Sequence, residues 1–294
     1  MSRAPDLERP DESRTPGADA QRPWPDARTA SVPVDRLTLR PGHERLPVRH
    51  RGRIYRLRDS DVQVLATVGT FRVVRADDVQ AVRSSREAWR GELRHLREED
   101  LVDIKTVTIN RESTAIAVLT REGKSLLEAH QDRSHERPVQ AFHAGLVKPR
   151  ELAHDAQLFR LYQAEAARIE AECGRVERVL LDYELKRDYQ TFLNRSNRVD
   201  DADDDVTAFA EGHGLPIIDG HLELPDLRIE YEAPDGTLQH RDVELVTEHY
   251  SRAQLAGKSQ AGFSMYRAAG ARLGGGSARP GGTPIDPHHL EWLP

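Results

Sequence analysis

The chain has 294 residues, 43 Lys and Arg against 49 Asp and Glu for a net charge of −6, and 37% hydrophobic residues; that length exceeds the about 100–200 residues of one domain and leads us to expect two domains with tails. No apolar run approaches the ~18 residues that cross a bilayer, and Met1 to Asp6 carries neither a signal peptide nor a lipidation motif. The single cysteine, Cys173, excludes an internal disulfide and a cysteine-rich zinc site, so the expected location is a reducing cytoplasm, without membrane contact.

Residues 1–34 are rich in Pro, Asp, Arg and Ser with little to bury, and read as a disordered tail. A basic arm follows: between Asp35 and Arg58 stand eight arginines (Arg36, Arg40, Arg45, Arg49, Arg51, Arg53, Arg56 and Arg58) against two acids, Asp35 and Glu44. A negative total does not exclude nucleic-acid binding, because polyanions meet local patches. Asp59 or Ser60 can cap a first helix with Val62, Leu65, Ala66 and Val68 at helical spacing and Gly69 as its stop. Ala76 to Val82 is a second, short helix. Ser84-Ser85-Arg86-Glu87 has the spacing in which a hydroxyl and a carboxylate satisfy the free amides of a helix start, so a third helix should run from Ser85 to Glu98. Trp89, Leu93 and Leu96 form its apolar stripe, and Arg86, Arg90, Arg94 and Arg97 lie on a neighbouring one.

Leu101 to Ile109 alternates as a strand, Asn110-Arg111-Glu112-Ser113 turns, and Thr114 to Leu119 returns. Thr120-Arg121-Glu122-Gly123 then opens a helix toward His130. Three helices followed by a hairpin is the winged helix-turn-helix order, which makes 35–135 the expected domain for duplex DNA. Arg83, Ser85, Arg86, Arg90, Arg94 and Arg97 would lie at the groove, Arg111 would touch the backbone from the wing tip, and Arg51 and Arg53 would follow phosphates from the arm. A solvated charged face is the plainer alternative for such a row.

Residues 136–150 read as a linker. Leu152, Ala156, Phe159, Ala166, Ile169 and Cys173 share one face of a long helix stopped by Gly174, either a core face with Cys173 as a small buried hydrophobe or a homodimer seam through 151–173. A strand at Arg175–Leu181 and a helix at Tyr183–Leu193 follow, and Asp200–Asp205 reads as a solvated loop. Leu227, Ile229, Tyr231 and Ala233 alternate with Arg228, Glu230 and Glu232, Pro234-Asp235-Gly236 turns the chain, and Leu238–Thr247 comes back. Ser251–Ala269 reads as a final helix carrying Lys258 and Tyr266. Residues 270–294 read as a flexible tail, in which Gly274-Gly275-Gly276 lacks the ending of a phosphate loop.

Pro225-Asp226 opens one strand of that second hairpin and Glu244 lies in the other, with Glu184 upstream on a helix. Two carboxylates at adjoining strand ends can hold Mg2+, a hard cation that keeps water for a phosphodiester. This is the arrangement of PD-(D/E)XK nucleases, with Asp226 and Glu244 as metal ligands and Glu184, Asp226, Glu244 and Lys258 as the catalytic set. The lysine expected two residues past the glutamate is replaced by Val246; Lys258 on the next helix, with Gln254 one turn earlier, could supply it. The alternative is a structural Pro-Asp pair and a surface glutamate, with no cofactor.

The order of Leu119-Thr120-Arg121-Glu122-Gly123, His154-Asp155, Glu184-Leu185, and Pro225-Asp226 followed by Glu244 resembles the replication-relaxation family of plasmids and mobile elements over Tyr55 to Tyr266. The resemblance implies a winged helix joined to a PD-(D/E)XK-like domain, here 151–269, and DNA binding connected with replication or mobilisation. The expected fold class is therefore α+β, a winged helix-turn-helix followed by an α/β nuclease-like domain. The expected function is DNA binding beside a degenerate nuclease-like domain; an active Mg2+-dependent endonuclease and a non-enzymatic dimeric transcriptional regulator are the alternatives.

Overall fold

The computed structural model describes residues 32–39, 41–81, 86–109, 111–134, 137–146, 148–195, 202–247 and 250–268. The architecture is α+β. The basic stretch, expected as an arm, is instead folded into a hairpin of β1 (Leu46–His50) and β2 (Arg53–Leu57). An isolated hairpin is marginal in water; this one is held because Tyr55 and Leu57 are fully buried and the Tyr55 hydroxyl donates to Glu122 at 2.9 Å.

The next elements are α1 (Asp59–Thr70), β3 (Val74–Arg75), α2 (Ala76–Ala81), α3 (Arg86–Glu98), β4 (Val102–Ile109), β5 (Glu112–Leu119) and α4 (Arg121–Ala129). α1 is closed by a residue other than those expected: the Asp61 carboxylate, not Asp59 or Ser60, accepts the Arg58 amide at 3.1 Å, and α1 runs past Gly69 to Thr70. Buried Asp61 is compensated by a bidentate Arg45 at 2.8 and 3.1 Å. On α3, Leu93 and Leu96 are buried as their spacing predicts; the side chain of Trp89 lies outside the described set. β3, β5 and β4 form an antiparallel sheet in that order, and because Ile109 pairs with Glu112, Glu112 and Ser113 belong to the strand and not to the turn. Thr120 caps α4 by accepting the Gly123 amide at 3.0 Å, and a Cβ on Gly123 would stand 2.2 Å from the Leu101 carbonyl oxygen, so only glycine lets the helix start this close to β4.

α5 (Pro149–Ala171) follows, then β6 (Arg175–Leu181), α6 (Asp182–Arg195), α7 (Ala202–His213), β7 (Ile217–Ile218), β8 (His221–Leu222), β9 (Leu227–Glu232), β10 (Leu238–Val246), α8 (Arg252–Gln260) and β11 (Ser264–Arg267). The acid-rich segment expected as a loop thus enters α7 at Ala202. The expected final helix is two elements: Gly262, at φ 79°, ends α8, and the chain crosses over to lay β11 parallel to β10, a pairing that needs such a crossover. The four-stranded sheet has the order β11-β10-β9-β6, with β6, β9 and β10 mutually antiparallel where they pair.

α5 is buried on most sides although it carries many charged residues. Leu152, Ala156, Leu158, Phe159, Leu161, Tyr162, Ala166 and Ile169 are all buried, the helix packs on β3 at one end and on β6, β9 and β10 along the other, and one hydrophobic cluster runs from Val32 to Ala268 through it. The proposed dimer seam is therefore spent inside the chain. Cys173 is not on that face. It is exposed at φ 61°, in the left-handed position that closes the helix, while the Gly174 amide reaches back to Ile169. Leu180, Leu185, Phe209, Ala210 and Leu215 form a second cluster. Next to it, buried Arg228 makes a bidentate pair with Asp242, both bonds 2.7 Å, and donates to the Gly214 carbonyl at 3.0 Å. Removing one member of a buried pair strands the other charge, so Asp242→Ala should cost about 3–5 kcal/mol in urea unfolding, and the Arg228→Met/Asp242→Leu double variant should recover most of that loss.

Candidate functional site

The Pro225-Asp226 turn and β10 bring Asp226 and Glu244 together: the Asp226 amide donates to Glu244 Oε2 at 3.2 Å, and the Leu245 amide donates to Asp226 Oδ2 at 2.8 Å. Lys258 joins them from α8, with Nζ 3.3 Å from Glu244 Oε1, 3.2 Å from Glu223 Oε2 and 2.6 Å from the Leu224 carbonyl oxygen. The capping box that starts α8 fixes this reach: Ser251 accepts the Gln254 amide, and Gln254 returns its side-chain oxygen to the Ser251 amide at 2.9 Å. Gln254 is thus a cap and not a partner of Lys258.

Glu184 does not join the cluster among the described residues. Its Oε1 accepts the Leu181 amide at 3.2 Å, closing the start of α6, and lies 3.4 Å from His143 Nε2. The place near the acid pair is taken by His154, on the first turns of α5, whose Nε2 is 3.1 Å from Asp226 Oδ1 while Nδ1 is 3.2 Å from Asp155 Oδ1. Asp155 in turn meets Arg72, from the loop after α1, at 3.3 Å. Tyr250 donates to Glu244 Oε1. The His154-Asp155 pair has no role legible in the sequence, because nothing in the spacing reveals that the start of α5 abuts the start of β9; Tyr250 and Glu223 carry no signal there either.

The electrostatics follow from this crowding. Burial disfavours the His154 charge, but the hydrogen bonds to Asp155 and Asp226 outweigh it and push the imidazole up to about 10. Burial likewise opposes the Asp226 charge, yet His154, the Leu245 amide and Lys258 hold that carboxyl below its ordinary value. For Glu244, burial and then repulsion by Asp226 win over Lys258 and Tyr250, and the carboxyl rises to about 7. Tyr250, buried beside Asp226 and Glu244, is pushed well above its ordinary value and stays a donor. Lys186 is also raised: burial opposes its charge, but the Asp182 bond at 2.6 Å and the field of Asp226 and Glu244 prevail.

A magnesium ion needs several oxygens at about 2.0–2.1 Å around one point. Here all four oxygens of the acid pair already accept donors, and two of those donors are cationic, so the residues as arranged do not fit the ion; among the described residues no group of three or more His, Cys, Asp or Glu is placed to hold a metal.

Of the residues expected at DNA, Arg94 is the most exposed described side chain of α3 for which an ion pair is found, 2.8 Å from Glu98, and Arg97 is exposed. Arg111 stands at the β4–β5 tip with φ 69°. Arg51 stands at the β1–β2 tip, and Arg53, 3.8 Å from Asp100, lies over the Tyr55 ring. Arg83 and Ser85, and the side chains of Arg86 and Arg90, lie outside the described residues.

No protein-family model, curated protein or solved structure matches this chain. Nor is any helix among the described residues long and apolar enough to cross a membrane.

The histidine and the glutamate give the same sign of pH dependence. His154 is raised on folding, so its stabilisation is complete below about pH 6.5 and is lost as pH rises through about 10. Glu244 is also raised, which favours its protonated form in the fold, and that contribution is lost as pH rises from about 4.5 through about 7. The melting temperature should fall between pH 6.5 and 10 by more in the wild type than in His154→Asn; equal slopes would show that His154 carries no stabilising charge.

Proposed function

We propose that the protein is a duplex-DNA-binding protein whose amino-terminal half is a winged helix and whose carboxyl-terminal half is a nuclease-like domain that has lost metal-dependent cleavage. The observation that carries the first part is the order α1–β3–α2–α3–β4–β5 with the sheet order β3-β5-β4, which leaves α3 with Leu93 and Leu96 buried and Arg94 and Arg97 outward, directly before a hairpin tipped by Arg111. A helix so placed can enter a major groove while the wing touches phosphates. The second part is supported by Asp226, directly before β9, standing beside Glu244 of the neighbouring β10, two carboxylates at adjoining strand ends as expected of a PD-(D/E)XK site, combined with the cationic donors that occupy both carboxylates. The resemblance to replication-relaxation proteins extends the reading to replication or mobilisation of a plasmid or mobile element.

A preferred site can be selected from a random-sequence duplex pool. Against it, Arg90→Ala/Arg94→Ala should lose tenfold or more in affinity and all preference over scrambled DNA, since each base contact contributes about 1–3 kcal/mol, while Arg111→Ala should weaken both duplexes alike. Binding by the double variant equal to wild type sinks the assignment of α3. Supercoiled plasmid incubated with Mg2+ or Mn2+ should stay intact; cleavage that disappears in Glu244→Ala would restore the endonuclease reading.

A further inference from the structure

We infer that the β1–β2 hairpin is a second phosphate-binding wing, which grips the DNA backbone beside α3 independently of base sequence. The inference rests on the duplex-binding reading above and adds a surface to it. From Arg45 to Arg58 the chain contains no acid. Two of its arginines are spent in the fold: Arg45 on Asp61, and Arg58 on Asp61 and on Glu92, at 3.2 Å from the latter. Arg53 leans toward Asp100. Arg49, Arg51 and Arg56 are exposed, and among the described residues no carboxylate lies within ion-pairing distance of them.

The register explains why these three are available. Val48 pairs with Tyr55 on the face that packs inward, whereas Arg49 pairs with Ile54 and Pro47 with Arg56 on the face that looks out, where Ile54 is 57% exposed. The tip is a two-residue turn in which Arg51 has φ 46° and Gly52 φ 81°. Such turns favour Asn or Asp at the first position, whereas here a long cation occupies it; on the other hairpin Arg111 likewise stands at positive φ at the tip. The hairpin is also rigidly placed: the Arg56 carbonyl accepts from His95, the Arg56 amide donates to Glu99 at 3.4 Å, and His50 meets Ser125 at 2.9 Å. It is therefore fixed to the carboxyl-terminal part of α3, from which β4 also departs. Three free guanidinium groups with one apolar side chain between them, on a fixed support, suit a row of phosphates.

Each phosphate neutralised on duplex DNA contributes about 0.9 to the slope of log affinity against log salt. The Arg49→Ala/Arg51→Ala/Arg56→Ala variant should thus lower that slope by about 2.7 for a labelled random-sequence duplex, weaken selected and scrambled duplexes by the same factor, and leave the preference between them and the melting temperature unchanged. The corresponding triple lysine variant should keep the wild-type slope. If the wild type binds duplex and the triple alanine variant binds with an unaltered slope, the second wing is refuted while duplex binding by α3 stands. If the wild type binds no duplex, both fall. If the triple substitution weakens single-stranded RNA more than duplex DNA, the surface serves RNA and the proposal is overturned.

Discussion

Burial of α5 is the constraint on which the other features depend. Apolar residues on more than one face of this helix must be enclosed to stabilise it, and neither half of this chain encloses them alone: its amino-terminal end packs on β3, its remainder on the sheet of β6, β9 and β10. The polar residues along it are then obliged to find partners within the chain. Glu165, fully buried, takes Arg168 at 2.8 Å, Arg241 at 3.3 Å and the Tyr266 hydroxyl; Asp155 takes Arg72 and His154. Because His154 also meets Asp226, the acid pair is tied through the first turns of α5 to the loop after α1. Any motion of the amino-terminal half that draws Arg72 away from Asp155 changes the charge environment of His154, and through it that of Asp226. The two halves share one core and one electrostatic chain, and of the two readings of the 151–173 helix, core face or dimer seam, its buried residues pack as the core face.

The acid pair shows how environment decides chemistry when residue types do not. Asp226, Glu244 and a lysine are the groups a metal-dependent phosphodiesterase would use, and they do converge. Yet two carboxylates near each other in a partly desolvated place must be balanced by something. In a metal enzyme the ion does this. Here the imidazole of His154 and the ammonium of Lys258 do it, with Tyr250 as a neutral donor, and the glutamate is held near the point where it protonates. An incoming dication would have to expel a histidine whose proton is retained by two aspartates at once.

The readable parts of the sequence were those decided by near neighbours. The stripe of Leu93 and Leu96, the helix starts at Thr120 and Ser251, the alternation of Leu227, Ile229 and Tyr231, and the Pro234-Asp235-Gly236 turn depend on residues a few positions apart, and they stand where spacing puts them. The misreadings came from contacts between distant residues. Ser264–Arg267 has the composition of a helix end but gains a parallel partner in β10; Cys173 fits an apolar stripe by spacing but falls just beyond the last turn, where the chain must turn left-handed. At the site, Asp226, Glu244 and Lys258 were legible because a hairpin and the helix after it are sequence-adjacent. His154 was not, since its approach to Asp226 exists only when α5 has packed across the sheet.

The distribution of charge completes the argument. An excess of acid over the whole chain does not prevent a basic surface, provided that acids are used up inside or kept elsewhere. Asp61, Glu92, Asp155, Glu165, Glu184, Asp242 and Glu244 are all buried, each beside a cation or a polar donor. Burying them consumes arginines whose sequence position suggested a free arm, Arg45 and Arg58 among them, and what remains outward on the hairpin is a smaller set. The repulsion that a polyanion would feel from the chain as a whole is screened beyond about 8–10 Å at physiological salt, so the few guanidinium groups that stay exposed, and not the sum over all residues, set how such a partner is met.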